Sequence, residues 1–131
     1  LISISDRDKS ELPELARSLH ECGFKLIATG GTCDVIEKEG IPVTRIFKLS
    51  QGRPNVLDAI TNKEVNLIIN TPAGKKGAVD DSYIRKAAIK GRICYVTSMA
   101  AAKATVEGIK EHKNCTHKGV RSLQEFHKAI Q

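Results

Sequence analysis

Thr29-Gly30-Gly31-Thr32 is the motif in this sequence whose residue types and spacing best suit chemistry, and that chemistry is phosphate binding. It follows the apolar stretch 24–28 and precedes a stretch with helical spacing. Paired glycines let a backbone approach a ligand closely. A strand–glycine–helix junction presents free N–H groups at the positive end of a helix. A tight turn with a helix cap would read the same way, so the motif depends on what surrounds it.

The elements that must position this motif are predicted from apolar periodicity. Strands are predicted at 1–5, 24–28, 42–47, 65–70 and 93–97. Helices are predicted at 10–21, 32–39, 55–62, 80–90, 98–110 and 122–130, with 6–9 as a polar turn and 114–120 as a loop or short edge strand. Asp80 or Asp81 is expected to cap the fourth helix and Ser98 the fifth. The inward face of the fifth helix is expected to carry Ala101, Ala104, Thr105 and Ile109.

This alternation of strands and helices predicts an α/β fold. We expect one three-layer domain over residues 1–131, with a five-stranded parallel sheet flanked by helices. In such sheets ligands bind outside the carboxyl ends of the strands. The loops after the first four strands, at 6–9, 29–32, 48–54 and 70–76, should therefore converge.

The converging loops are rich in cations, hydroxyls and free N–H groups, which together suit a phosphate. The expected phosphate-binding residues are Lys9, Thr29, Gly30, Gly31, Thr32 and Lys48. Asn70 could add a hydrogen bond to a base or ribose. Peripheral positions are Arg53, Lys75, Lys76 and Asp81. Singly, each lysine could equally be a solvated surface residue, and the functional interpretation depends on their convergence.

Composition bounds the remaining classes of function. The chain has 131 residues and a net charge of +6. Its basic residues are scattered and it has three Phe, two Tyr and no Trp, so nucleic-acid binding is disfavoured. No apolar run is long enough for a membrane helix. The four histidines lie away from the converging loops, and no metal site is expected. Cys22, Cys33, Cys94 and Cys115 form no close pair, which indicates reduced, mostly buried thiols and a cytoplasmic setting.

The sequence resembles the C-terminal allosteric domains of carbamoyl-phosphate synthetase large subunits, in the methylglyoxal-synthase-like superfamily. The segments that carry the resemblance are Ser5–Lys9, Gly23–Thr32, Lys48 with Gly52–Asn55, Leu67–Thr71 and Asp81–Lys86. The resemblance implies a flavodoxin-like sheet and a nucleotide monophosphate effector such as UMP or IMP. It also implies that Lys9, Thr29, Thr32 and Lys48 bind the phosphate, with Asn70 and Thr71 beside the ribose or base.

The same resemblance implies that this chain is a fragment of a longer protein, as its start without Met also suggests. The parent enzyme would be an ATP-dependent ligase of arginine and pyrimidine biosynthesis that uses Mg or Mn. Its partners would be the rest of the large subunit and, through it, the glutamine amidotransferase small subunit. The domain itself is expected to need no cofactor.

Two enzymes of the superfamily offer alternatives. Methylglyoxal synthase acts on dihydroxyacetone phosphate with a carboxylate base from a Gly-Gly-Asp segment after the third strand. Here that segment reads Gln51-Gly52-Arg53-Pro54, and Asp58, one helical turn further on, is a poor substitute. The inosine-monophosphate cyclohydrolase domain has a different pattern in this region. No catalytic residue is therefore expected, and a lyase of the methylglyoxal synthase type is the alternative function.

One difference from the bacterial synthetase pattern follows Asn70-Thr71. Pro72 stands where a further hydroxyl residue is usual, and the loop before Asp81 is one residue longer. Because of these differences, the resemblance does not imply which nucleotide binds or whether it inhibits or activates.

Overall fold

The sheet of this protein is parallel throughout. The computed structural model describes residues 1–75, 77–114 and 121–130. The strands are β1 (Ile2–Ser3), β2 (Leu26–Thr29), β3 (Val43–Ile46), β4 (Leu67–Asn70) and β5 (Cys94–Val96). They form one five-stranded sheet in the order β3-β2-β1-β4-β5, and every pairing is parallel. The predicted five-stranded parallel sheet is confirmed.

Helices cover both faces of this sheet. They are α1 (Leu12–Glu21), α2 (Gly30–Lys38), α3 (Val56–Thr61), α4 (Ala78–Lys90), α5 (Met99–Asn114) and α6 (Leu123–Lys128). Ile69 packs in a cluster with residues of α1, α2 and α5, whereas its neighbour Ile68 packs in a second cluster with residues of α3 and α4. Successive side chains of a strand point to opposite faces. The two clusters therefore are the two cores of a three-layer sandwich, as predicted.

The order of the strands reverses beside β1. The chain builds outward from β1 to β2 and β3, then crosses to the other side of β1 to form β4 and β5. Ile2 is in register with Ala28 of β2 and with Ile69 of β4. The carboxyl ends of the strands therefore meet at one edge, with the reversal between β1 and β4. This is where open parallel sheets bind ligands.

Several predicted element boundaries are wrong. Residues 6–9 were expected as a turn, but Asp6–Glu11 is a 3₁₀ helix that leads into α1. Helix α2 begins at Gly30, so both glycines of the phosphate motif lie in its first turn. Helix α4 begins at Ala78, with Gly77 at the N-cap. Asp80 and Asp81 therefore lie in its first turn and do not cap it, which leaves the carboxylate of Asp81 for other contacts.

The predicted inward face of α5 is only partly right, since Ile109 packs against the core whereas Ala101 and Ala104 are exposed. Its buried residues are Met99, Ala102 and Val106, and the helix continues to Asn114. Alanine and threonine discriminate weakly between faces, and the apolar spacing of Met99, Ala102 and Val106 is equally helical. The Ser98 cap is confirmed, since its hydroxyl accepts a hydrogen bond from the Ala101 N–H at 3.2 Å.

The thiols follow the sequence interpretation in part. Cys22 and Cys33 are buried and free, whereas Cys94 is free but exposed on the edge strand β5. Cys115 and His117 lie outside the described residues, as does the predicted loop or edge strand at 114–120 except for Asn114, which ends α5. Within the ranges that the structure describes, no helix combines the length and apolarity that a bilayer crossing requires.

Candidate functional site

A polar cleft lies at the carboxyl edge of the sheet. Its volume is about 450 Å³, counting the space open to solvent. Residues that follow or end four successive strands line it: Ser5, Thr29, Lys48, Asn70 and Thr71. The first turn of α4 adds Asp80 and Asp81. Residues of three of the four predicted loops, 29–32, 48–54 and 70–76, therefore meet here, whereas none of residues 6–9 lines the cleft.

Threonine hydroxyls hold the end of β1 in place. The Ser5 N–H donates to Thr71 Oγ1 at 2.8 Å, and the Ile4 N–H donates to Thr32 Oγ1 at 3.0 Å. Thr32 and Thr71 are each only 3% exposed. The two side chains therefore extend the pairing of a very short strand. Their hydroxyl lone pairs are partly engaged, and Thr32 does not line the cleft.

The start of α2 is open to an anion. Thr29 is the N-cap in extended conformation, but its side chain caps no backbone N–H. Its hydroxyl instead donates to Ser3 Oγ at 3.1 Å. A helix N-terminus carries partial positive charge on its unpaired N–H groups. Gly30 and Gly31 therefore present a positive helix end next to the cleft.

Lys9 adds a full positive charge at this helix end. Its Nζ lies against Gly31, so that a Cβ built on Gly31 would be 2.7 Å from it. The same ammonium forms an ion pair with Asp6. The hydrogen bond and charge of Lys9 lower the pKa of Asp6, and the charge of Lys48 contributes in the same direction. Both predicted lysines thus act on one exposed carboxylate beside α2.

Lys48 is held at the base of a closed loop. Phe47 and Asn55 form a parallel bridge, and the Val56 N–H donates to the Phe47 carbonyl at 3.1 Å. These contacts bring the ends of the 48–54 segment together. The Lys48 N–H also donates to Gln51 Oε1 at 3.0 Å. The backbone of Lys48 is therefore fixed where this residue lines the cleft.

Both carboxylate oxygens of Asp58 have partners within the protein. Its Oδ2 accepts from the Asn55 N–H at 2.9 Å, while Asn55 Oδ1 accepts from the Leu57 N–H at 3.0 Å. Together they cap α3. Asp58 Oδ1 also lies 3.5 Å from Arg53 Nη2, and the Arg53 side chain is 82% exposed. Neither residue lines the cleft.

Asn70 connects the cleft to α4 and β5. It is 3% exposed, and its Nδ2 donates to Asp81 Oδ1 and to the Tyr95 hydroxyl, both at 2.9 Å. Asp81 Oδ2 is buried and has no hydrogen-bond partner among the described residues. A buried carboxylate oxygen without a donor is costly. Because Asp81 lines the cleft, this oxygen is an unsatisfied acceptor at the cleft wall among the described residues.

Sequence reasoning missed Tyr95, Ser3 and Ser5. Tyr95 belongs to β5, the neighbour of β4, so its position could have been found only once the strand order was known. The predicted peripheral residues Arg53 and Lys75 do not line the cleft, and Lys76 lies outside the described residues. Of the histidines, His20 lies in α1, His112 in α5 and His127 in α6. The described residues include no metal-ligating group of three His, Cys, Asp or Glu side chains.

An open parallel sheet with a polar cleft where the strand order reverses defines a doubly wound α/β domain. The chain belongs to the family of MGS-like domains, whose model matches residues 11–97. This confirms the superfamily expected from the sequence.

Its relatives include carbamoyl phosphate synthase chains. The chain is 42% identical over 130 residues to the carbamoyl phosphate synthase large chain, C-terminal section, of Aquifex aeolicus, covering 96% of this chain and 24% of that protein. It is 46% identical over 127 residues to the carbamoyl phosphate synthase large chain of Archaeoglobus fulgidus, covering 96% and 12%. The chain thus spans between 12% and 24% of the length of these two relatives.

A solved structure supports the fold alone. Methylglyoxal synthase from Elizabethkingia anophelis NUHP1 superposes with a TM-score of 0.64 at 18% identity, over 80% of this chain and 75% of that one.

Proposed function

We propose that this chain is the allosteric effector-binding domain of a carbamoyl-phosphate synthetase large chain and that it binds a nucleoside monophosphate such as UMP or IMP. The observation that carries the proposal is the polarity of the cleft. One end has Lys48, the open start of α2 and, beside it, Lys9. The other end has Asp81, whose buried Oδ2 lacks a hydrogen-bond partner among the residues that the structure describes. A ligand that fits both ends has a phosphate and, some distance away, a hydrogen-bond donor.

The phosphate end would work by charge and by backbone N–H groups. The phosphate would accept from the first turn of α2 and pair with Lys48. It would also compete with Asp6 for Lys9. Asp6 begins the 3₁₀ helix that leads into α1, so this exchange of partners links the cleft to the packing of α1.

The donor end would select a nucleotide over a simple phosphate. A ribose hydroxyl or a base N–H can donate to Asp81 Oδ2, whereas inorganic phosphate at the other end cannot. Asn70 and Tyr95 hold this carboxylate in place through two hydrogen bonds of 2.9 Å. A buried acceptor that is satisfied only by the right ligand is an effective source of specificity.

Regulation would follow from linkage. The effector shifts the balance between two states of the large chain by the difference in its affinity for them, and the coupling is reciprocal. In this proposal ATP, with Mg or Mn, binds elsewhere in the parent enzyme, in the cytoplasm. The glutamine amidotransferase subunit contacts the rest of the large chain.

The alternative is a lyase that acts on dihydroxyacetone phosphate. It needs a carboxylate base at the phosphate site. Asp58 caps α3 and lies beside Arg53, which argues against it as that base. Robust formation of methylglyoxal from dihydroxyacetone phosphate would overturn the regulatory proposal.

The test is calorimetric titration of UMP, IMP and phosphoribosyl pyrophosphate into wild type, Lys48→Ala and the control Lys38→Ala. Lys38 ends α2 and is exposed away from the cleft. Losing one charge-assisted hydrogen bond of about 1.5–3 kcal/mol should weaken binding by roughly 10–100-fold in Lys48→Ala. Lys38→Ala should bind as wild type does. Unchanged affinity in Lys48→Ala would contradict the phosphate assignment.

A further inference from the structure

A second groove lies at the opposite edge of the sheet, where β4 and β5 begin. It is larger than the effector cleft, at about 1170 Å³ counting space open to solvent. The ends of α3 and α4 and the residues that lead into β4 and β5 line it. We call it the basic groove, after its lining residues Lys63, Lys90 and Arg92.

The charge of the basic groove is of one sign. Lys63, Lys90 and Arg92 line it, and no carboxylate does. In the described part of the chain, none of the three forms an ion pair with Asp or Glu. The C-termini of α3 and α4 are partially negative and favour cations nearby, but a half charge from each helix end does not balance three full ones.

Two of these cations occupy unusual backbone positions. Lys63 has φ +59° and Arg92 has φ +53°. These are left-handed conformations just after the ends of helices, where glycine or asparagine is favoured. Each position therefore carries a long cationic side chain where a smaller residue would be easier to accommodate.

The floor of the groove is apolar. Ile60 and Val65 are each 5% exposed and line it, together with Ile93. Ile89, 70% exposed, precedes Lys90 on α4. No aromatic side chain lines the groove, so it offers no platform for a nucleic-acid base. An apolar floor with a charged rim is typical of a protein interface.

We propose that the basic groove docks an acidic, partly apolar segment of the longer polypeptide to which this domain belongs. The proposal rests on the domain's being part of a synthetase large chain, but not on the identity of the effector. The relatives extend far beyond the matched region, since this chain spans between 12% and 24% of the two described above. Charge complementarity selects an acidic partner.

Helix α4 joins the groove to the effector cleft. Asp81 lies in its first turn and Lys90 is its last residue. The rise of an α-helix places these ends about 14 Å apart. An effector that contacts Asp81 and a partner that contacts Lys90 would therefore hold opposite ends of one rigid element, which gives the docking surface a direct link to regulation.

The test is lysine acetylation of the nuclease-treated full-length parent chain, read by mass spectrometry. Lys63 and Lys90 are compared with Lys25 and Lys38, which are also exposed but lie on other surfaces. We expect Lys63 and Lys90 to react several-fold more slowly. Equal rates would overturn the proposal. Protection that is present in an untreated sample but absent after nuclease treatment would also overturn it, because nucleic acid would then be covering the groove.

A charge-reversal variant provides a second test of the docking proposal. Arg92→Glu should raise the acetylation rate of Lys63 and Lys90 to that of Lys25, whereas the control Lys38→Glu should leave both protected. A new carboxylate beside a lysine stabilises its ammonium form and would by itself slow acetylation, so a rise reports loss of cover. If Arg92→Glu does not fold, Lys90→Glu replaces it, and the acetylation rate of Lys63 is measured instead. Protection that survives charge reversal would overturn the proposal.

Sedimentation of the same samples separates a second copy from an internal segment. Protection that is lost when the sample dissociates into monomers would assign the groove to another copy and overturn the proposal. Failure of UMP and IMP to bind would leave these rates unchanged, so the two proposals can fail separately.

Discussion

The ammonium group of Lys9 lies against the backbone of Gly31 at the first turn of α2. A Cβ on Gly31 would be 2.7 Å from Lys9 Nζ, whereas a Cβ on Gly30 would meet nothing within 4 Å. A side chain could therefore be accommodated at position 30 but not at position 31 unless Lys9 moved. At position 31, glycine makes room for a cation from the 3₁₀ helix that follows β1.

Gly31→Ala is therefore expected to weaken anion binding, because it displaces Lys9. The loss should be several-fold, corresponding to about 1 kcal/mol of a charge-assisted contact. The matched control is Gly30→Ala, which should retain affinity. Both should gain up to about 0.5–1 kcal/mol of stability from alanine in a helix. Titration with UMP and urea unfolding measure the two effects, and equal affinity in the two variants would contradict the role of Lys9.

Asp81→Asn is expected to separate nucleotide binding from phosphate binding. It removes the charge of a carboxylate whose buried Oδ2 has no hydrogen-bond partner among the described residues, so affinity for UMP should fall by about tenfold, the lower range for a charged hydrogen bond. Affinity for inorganic phosphate should not change. Glu111→Gln, an exposed carboxyl group on α5 that does not line the cleft, is the control. An equal loss for UMP and phosphate would show that Asp81 does not contact the nucleoside.

Thr32→Val is expected to cost stability more than binding. The hydroxyl of Thr32 accepts a buried hydrogen bond from the Ile4 N–H, and leaving that N–H unpaired costs about 1–3 kcal/mol. Urea unfolding should show this loss while UMP still binds the folded protein. The control is Thr105→Val, whose hydroxyl donates to the Ala101 carbonyl within α5. A stable variant that no longer binds UMP would instead make the hydroxyl a ligand contact.

Asp8→Asn is expected to reduce the acid sensitivity of the fold. The Ser5 hydroxyl donates to Asp8 Oδ2 at 2.7 Å and lowers the pKa of Asp8, with Thr71 and Arg7 acting in the same direction. A lowered pKa in the folded state adds stability above the unfolded value of about 3.9, which is lost as pH falls through the folded pKa.

The measurement for Asp8 is the free energy of unfolding in urea from neutral pH to about pH 2.5. Wild type should lose stability more steeply below about pH 4 than Asp8→Asn. Glu21→Gln, at the end of α1, controls for removal of a carboxyl group. Parallel pH profiles for wild type and Asp8→Asn would contradict the contribution of this hydrogen bond.

The parts of the site that lie on strand ends could be predicted, because strand ends are visible as the limits of apolar runs. Thr29, Lys48 and Asn70 were placed at the cleft in this way and line it. Tyr95 could not be placed, because its contact with Asn70 depends on β5 lying beside β4. The start of α4 was misplaced because Asp80 and Asp81 are good caps by type, whereas Asp81 pairs with Asn70.

The sequence by itself determined the parallel sheet and the edge at which the polar loops meet. Local periodicity dictates strands and helices, and right-handed crossovers leave few ways to arrange them. Tertiary structure decided which polar groups remain available to a ligand. Contacts between distant segments commit the Thr32 hydroxyl to Ile4 and bring Lys9 against Gly31, and they leave Asp81 Oδ2 without a hydrogen-bond partner among the described residues. Such pairings depend on distances between elements, which no local pattern contains.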